Sequence, residues 1–299
     1  MREIRTTGET NTPYVFITDA TNFEEVLPVI RESPMLAVDT ETTGLDPHNS
    51  RIVMLQLGTR QGTYVIDVRQ VPILLAKDLL ENPRSLKLLQ NAKFDYQQLK
   101  AAGIQLNNVY DTMLAEGVLC SGMRPQLNLA ALSRKYIGLE MNKRVRTQFE
   151  KWGDKPFSRE QTDYGATDVV ALFTIYDAQL KHLQDLSLTR TAQLEFDAVI
   201  PTAEMEYNGV LLAKAPWIKL ADRTAKQIQD LTAIIRDELA PVLPQPDLFG
   251  FIDVNLDAKQ QIKGYLSRLG IELPDIIIFG IYLFLLHRDS KTIFHEFAR

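Results

Sequence analysis

Two acids one residue apart, Asp39 and Glu41, close the apolar start of the stretch "MLAVDTETTGLDP", Met35 to Pro47. Leu36 to Val38 reads as a buried strand, and on a strand the side chains at i and i+2 share a face. The carboxylates therefore project together, and at about 4 Å they repel by roughly 4 kcal/mol at an effective dielectric of about 20. Water, a shared proton, a base or a divalent cation must offset that cost, and no Lys or Arg follows the pair before Arg51. On this stretch alone, a solvated strand end running into the Thr-Thr-Gly turn is the simpler account. Phosphoryl chemistry at a metal pair would need further carboxylates brought in from other elements. Asp95, in "LLQNAKFDYQQL", falls in the first helical turns after a strand. Asp168, in "DYGATDVVALFTIY", is followed by the apolar Val169, Val170, Ala171 and Leu172, and a carboxylate on so apolar a helix needs a partner. Tyr164, four residues earlier, shares its helix face. Taken singly, an acid at a helix start is as readily a solvated residue or a dipole partner.

The elements that must position these groups follow from the pattern of the chain. "YVFITD" reads as a strand, and "TNFEEVLPVIRES" as a helix with Thr21 as its N-cap. The opening strand, "RIVMLQLGT" and "GTYVIDV" make a meander of three neighbouring antiparallel strands. "PILLAKDLLEN" reads as a helix, "SLKLLQN" as a short strand, and "AKFDYQQLKAAG" as a helix closed by Gly103. "NNVYDT" is a strand leading into the helix "MLAEGVLCSG". The first half is thus an α/β layer fold with a mixed sheet. From Asn128 the pattern is almost entirely helical, with a capping box at Ser158 and Gln161 opening a long helix. "TAQLEFDAVIPTAEMEYNG" and "APWIKLADRTAKQIQDLTAIIRDELAP" continue it, Pro241, Pro244 and Pro246 mark a linker, and a last short helix ends at Gly270. The apolar run Ile276 to Leu286 is shorter than the roughly 20 residues a bilayer requires, so a buried strand or helix, or a strand exposed by truncation, is expected there rather than a span.

Composition narrows the class. The 299 residues are 45% hydrophobic and 24% charged, an ordinary globular balance long enough for one large domain or two smaller ones. A net charge of −5 argues against polyanion binding over the whole surface but leaves room for a local basic groove. The single cysteine, Cys120, excludes an intrachain disulfide and fits a reduced, cytoplasmic setting. The four histidines have no zinc spacing, and the N-terminus has no signal-peptide core.

In chain order, "DTET" at a strand end, "QNAKFD" at a helix start and "YGATD" on a helix resemble the three motifs of the DEDD 3′–5′ exonucleases, in the subfamily with a tyrosine. The resemblance is to the proofreading domain of family A bacterial DNA polymerases, with ribonuclease D as a cousin. "YDTMLAEGVL" is similar to the segment these families carry after their second motif, and the likeness covers roughly Tyr14 to Leu186. It implies a ribonuclease H-like (DnaQ-like) α/β fold over residues 1–190, and a smaller helical segment over 191–275 resembling the start of a polymerase thumb. An atypical apolar tail over 276–299 matches nothing in the family. "MEYNGVLL" and "VNLDAKQQIKGYLSRLGIELPD" carry the likeness past the nuclease domain. The palm and fingers do not follow in this sequence, so the expectation is an exonuclease without polymerase activity of its own, either a truncated polymerase reading frame or a stand-alone nuclease.

By the resemblance, Asp39, Glu41 and Asp168 hold one divalent cation, and Asp39 bridges to a second tied to Asp95 mainly through water. Mg²⁺ or Mn²⁺ suits such oxygen ligands. The cations would offset the repulsion within the Asp39–Glu41 pair. Tyr164 orients the attacking water; the histidine subfamily has His five residues before the last acid, where this chain has Asp163. Leu45 falls where the family inserts an apolar side chain beside the terminal base, although a core Leu after a turn explains it equally. Gln90 and Asn91 correspond to amides on the terminal nucleotide, or else cap the strand end, and Thr42 offers a hydroxyl or backbone contact. Arg124 to Arg159 holds nine Lys/Arg against three Asp/Glu, with Phe149 and Trp152 inside it, a combination suited to single strands or to a solvated charged loop. The implied partner is a single-stranded DNA 3′ end, with RNA as a second candidate, a mononucleotide product and no membrane; whether a polymerase acts alongside it is not readable. The rival functions are ribonuclease D-like trimming of RNA and a nucleic-acid-binding module that does not cut.

Overall fold

The structure, a computed structural model, describes residues 2–8, 10–141, 149, 153, 155–243, 255–256 and 258–271. Its strands are β1 (Arg2–Thr6), β2 (Pro13–Ile17), β3 (Met35–Thr42), β4 (Ile52–Gly58), β5 (Thr63–Asp67), β6 (Leu86–Leu89) and β7 (Val109–Asp111). They form one seven-stranded sheet in the order β1-β2-β5-β4-β3-β6-β7. β3, β4 and β5 are the expected antiparallel meander, while β6 and β7 extend the sheet from β3 in parallel. Parallel addition requires crossovers, and α3 (Ala92–Ala101) supplies the one between β6 and β7. β1 is an edge strand that the sequence pattern does not announce, because "REIRT" has no apolar face and stays largely exposed.

Two local details differ from the sequence reading. The cap of α1 (Ala20–Arg31) is Asp19 rather than Thr21: Asp19 is extended at φ −146° and ψ 134°, and its carboxylate accepts the N–H groups of Thr21 and Asn22. "PILLAKDLLEN" forms a 3-10 turn, Ile73–Ala76, followed by the single turn of α2 (Lys77–Leu80). Pro83 biases Asn82 away from helical backbone and stops any extension.

Alternation along β3 sorts its side chains between two layers. Leu36 and Val38 join Leu55, Leu57 and Ile66 under Phe23 and Ile30 of α1 and Tyr96 and Leu99 of α3. Ala37 faces the other way, toward Val169, Leu172 and Phe173 of α6 (Arg159–Asp185). The capping box at Ser158 and Gln161 opens α6 as the sequence predicts. α4 (Thr112–Leu119), α5 (Leu129–Ile137) and α7 (Thr189–Asn208) complete this part of the chain. The chain divides into two compact units, Met1–Gly209 and Val210–Arg299. Residue 190 falls at the start of α7, whose Phe196, Val199 and Ala203 are buried in the first unit. In the second unit, α8 (Lys214–Leu239) and α9 (Lys259–Arg268) bury Leu239 and Tyr265 together. The apolar tail from Ile276 lies outside the described residues. No described helix is long and apolar enough to cross a membrane.

Candidate active site

Asp39 and Glu41 follow Ala37 on the face of β3 turned to α6. Asp168 sits on α6 next to Val169, which packs around Gly58 with Ala37 and Phe173. Carboxylate oxygens of Asp39, Glu41 and Asp168 lie within 4.8 Å of one another. Glu41 and Asp168 are buried, and Asp39 is half-buried. At this point the β3–β4 register slips: Glu41 stands opposite Met54 but Thr42 stands opposite Ile52, leaving Val53 as the extra residue. Such a bulge increases local twist and re-aims the side chains beside it.

Asp95 arrives from the opposite layer. Thr40 points away from its acidic neighbours and donates its Oγ1 hydrogen to Asp95 Oδ1 at 2.7 Å. Asp95 is buried in the first turn of α3 rather than solvated. Burial, and then the charges of Asp39 and Asp111, push its carboxyl well above the usual range, against the Thr40 hydrogen bond. Asp95 is therefore within electrostatic reach of the cluster although it comes from the other side of the sheet. A buried, all-oxygen, mutually repelling set of this kind fits hard divalent cations.

Tyr164 lies one helical turn before Asp168, half-buried, with its ring packed against a cluster that includes Phe149 and Phe157. The Phe149 and Tyr164 ring centroids are 6.5 Å apart. Phe149 is 1% exposed, so it is a core residue and not a platform for stacking bases; the apolar neighbours Phe16, Val65 and Phe157 claim it. Trp152 and the basic residues Lys143, Arg144, Arg146 and Lys151 lie outside the described residues. Asp163, which stands where the histidine subfamily has His, accepts the Tyr14 hydroxyl at 2.5 Å.

The remaining sequence candidates frame the same end of the sheet. Thr42 is buried and donates its hydroxyl to Gly44 O at 2.8 Å. Leu45 is 71% exposed on the loop after β3, so it is not a core residue. Asn91 holds a left-handed backbone at φ 63° at the mouth of α3, a conformation Asn tolerates better than most residues. Gln90 is committed at both ends: Nε2 donates to Leu127 O at 2.7 Å, and Oε1 accepts from Thr112 Oγ1 at 2.6 Å.

Two supporting residues escape a reading of the motifs. Asp111 accepts the backbone N–H groups of Asn91 and Ala92, at the start of α3, and of Met113 and Leu114, at the start of α4. Its place before a helix is an N-cap signal, but its hold on the Asp95 helix is long-range. Gln98, one turn after Asp95, accepts Ser50 Oγ at 2.9 Å and points its amide at the Gly44 and Leu45 carbonyls, tying the Leu45 loop to α3. Nothing in the sequence marks it.

Residues 14–184 match a family profile described as 3′–5′ exonuclease. DNA polymerase I of Aquifex aeolicus (strain VF5) is 30% identical over 201 residues, covering 64% of this chain and 33% of that protein, so the chain spans about a third of its length. Among solved structures, Escherichia coli RNase D shares the fold at a TM-score of 0.58 and 20% identity, over 70% of this chain and 54% of that one. Brucella melitensis NrnC with bound Mg²⁺ does so at a TM-score of 0.53 and 22% identity, over 65% of this chain and 91% of that one. The architecture is accordingly ribonuclease H-like. The matched span contains every strand and helix that brings Asp39, Glu41, Asp95 and Asp168 to one end of the sheet, and the chain belongs to the 3′–5′ exonuclease family of divalent-metal-dependent nucleases.

Proposed function

We propose that this chain removes nucleotides one at a time from single-stranded or frayed DNA 3′ ends, releasing nucleoside 5′-monophosphates by a two-metal mechanism. It is a proofreading-type activity of the kind used in DNA replication and repair. The observation that carries the reading is the convergence of the half-buried Asp39 with the buried Glu41 and Asp168 within 4.8 Å, with Asp95 in electrostatic range of Asp39. Two divalent cations, Mg²⁺ or Mn²⁺, would supply the Lewis acidity that activates water and neutralises charge on the phosphoryl group and the leaving 3′ oxygen. Asp39, Glu41 and Asp168 would hold one of them, and Asp39 with Asp95 would hold the other, Asp95 mainly through water. The Tyr164 hydroxyl orients the attacking water, since its position one turn from Asp168 brings it to the same helix face.

Substrate contacts follow from what each candidate presents. The exposed Leu45 wedges beside the terminal base and keeps the 3′ end frayed. Asn91 and the backbone at Thr42 contact the terminal nucleotide. Gln90 holds the approach to α5 and must exchange one of its present hydrogen bonds to reach substrate. DNA is favoured by the 30% identity to a DNA polymerase I and by the polymerase-like "MEYNGVLL" segment. A second reading, trimming of RNA 3′ ends, draws on the fold shared with E. coli RNase D, an exoribonuclease involved in structured RNA processing. A non-cutting module is the weaker account, because a binding groove has no use for a buried cluster of acids.

The test is a cleavage ladder. Single strands of DNA and RNA labelled at the 5′ end are incubated with the chain in Mg²⁺, Mn²⁺ or EDTA. Stepwise shortening of DNA from the 3′ end, stopped by EDTA, is expected. Preferential shortening of RNA selects the second reading, and no cleavage in either metal rejects both.

A further inference from the structure

Gln56 occupies the middle of β4, directly opposite Asp39 in the antiparallel register. Opposed residues share a sheet face, with Cβ atoms about 4.5–5.5 Å apart. The side chain is fully buried, and neither Oε1 nor Nε2 has a hydrogen-bond partner among the described residues. It extends beneath α6 at Gly165, where a Cβ would stand only 2.6 Å from Nε2 and 3.2 Å from Cδ. Only a residue without a side chain leaves that space to the amide. Gly165 lies three residues before Asp168 and shares its helix face. The Gln56 amide thus sits between the strand position that carries Asp39 and the helix turn that carries Asp168. An unsatisfied buried amide costs stability, and an apolar side chain of the same shape would not.

We propose that Gln56 is a positioning residue of the carboxylate site: as divalent cations enter, its amide N–H donates to the Asp39 carboxylate and holds it turned toward Glu41 and Asp168. The inference rests on the metal-dependent reading given above. A carboxylate shared between cations must keep one orientation, and a neutral donor fixes it without the repulsion that Lys or Arg would bring to a cation site. Groups that orient a ligand in this way are typically worth about tenfold to a hundredfold in metal affinity.

The experiment compares the full chain with its Gln56→Met variant, which keeps length and apolar volume but lacks the amide. Mn²⁺ binding is followed by titration calorimetry without nucleic acid, beside thermal melts in EDTA and the Mn²⁺ dependence of cleavage. The expected result is a metal-free melting temperature equal to or above that of the unsubstituted chain. Mn²⁺ affinity should fall about tenfold to a hundredfold, with the half-saturating Mn²⁺ for cleavage rising in parallel. Unchanged Mn²⁺ affinity, with or without a lower melting temperature, overturns the proposal, because the amide is then only packing. Loss of cooperative melting overturns it too, by making the amide a requirement for folding. The unsubstituted chain separates the two levels of inference. If it neither binds Mn²⁺ nor cleaves, the nuclease reading itself fails; if it does both and the variant matches it, only the role of Gln56 fails.

Discussion

Asp95 is buried between layers, and the charges of Asp39 and Asp111 add to burial in raising its carboxyl well above the usual range. Without metal, the folded chain therefore holds a proton that the unfolded chain releases above about pH 4. The stability this proton contributes is fully present below about pH 4 and is lost as pH rises through the folded value. Asp95→Asn mimics the protonated form and keeps an oxygen to accept the Thr40 hydrogen bond. In EDTA it should melt higher than the unsubstituted chain near neutral pH, by about 2–4 °C per kcal/mol of relieved repulsion, with the gap closing toward about pH 4. Cleavage should nonetheless be lost. A variant that melts lower at every pH would show that the carboxylate is not in conflict. Asp39→Ala and Asp168→Ala should likewise abolish metal-dependent cleavage while circular dichroism stays native, and near-normal activity in either would remove that residue from the site. Tyr164→Phe keeps the ring against Phe149 and deletes one hydroxyl, so single-turnover cleavage should fall roughly ten- to a thousandfold, with binding of single strands little changed. Full activity would leave Tyr164 as a packing residue of its aromatic cluster.

At the scale of elements, the site depends on how helices are seated on the ends of strands. β6 ends at Leu89, Asn91 turns left-handed, and α3 starts at once, with no cap from its own side chain. The cap comes instead from Asp111 at the end of β7, which serves α3 and α4 together. Burial raises the Asp111 carboxyl, and the backbone donors pull it back. Asp111→Ala strips the caps of two helices and leaves buried N–H groups bare, so a loss of about 2 kcal/mol or more in urea unfolding is expected. Cleavage should drop with it, because α3 carries Asp95 and, through Gln98, steadies the Leu45 loop. A stability change within about 0.5 kcal/mol would mean that the helices are seated by packing alone.

For the whole molecule, the compact unit that holds the candidate site runs through α7 to Gly209. α7 contributes Ala192 and Phe196 to one core layer, Val199 and Ala203 to the other, and pairs Glu204 with Lys100. A chain ending at residue 209 should therefore fold and cleave, whereas one ending at 190 should be insoluble or strongly destabilised. Each large side chain withdrawn from the core costs roughly 1.5–3 kcal/mol, and the faces of α3 and α4 beneath α7 would be bared to water. Size-exclusion profiles and thermal melts of the two truncations check this. A stable, active 1–190 chain would show that α7 is dispensable to the nuclease unit.

By itself, the sequence determined the acids, their order and the elements that carry them. Strand period, helix caps and turn residues are local properties, and so "DTET", "QNAKFD" and "YGATD" could be placed on β3, α3 and α6 from the chain alone. The antiparallel meander was legible for the same reason, since short turns join its strands. The resemblance implied that Asp39, Glu41 and Asp168 come together; only the tertiary structure decided that they do so on one sheet face while Asp95 enters from the other through Thr40. It also showed Phe149 to be core, Gln56 to lie against Gly165, and Asp111 to hold two helices. Those facts depend on which layer covers which face of the sheet and on contacts between residues far apart in the chain. No periodicity encodes them, because the same Phe, Gln or Asp is chemically identical until packing removes water from one side of it.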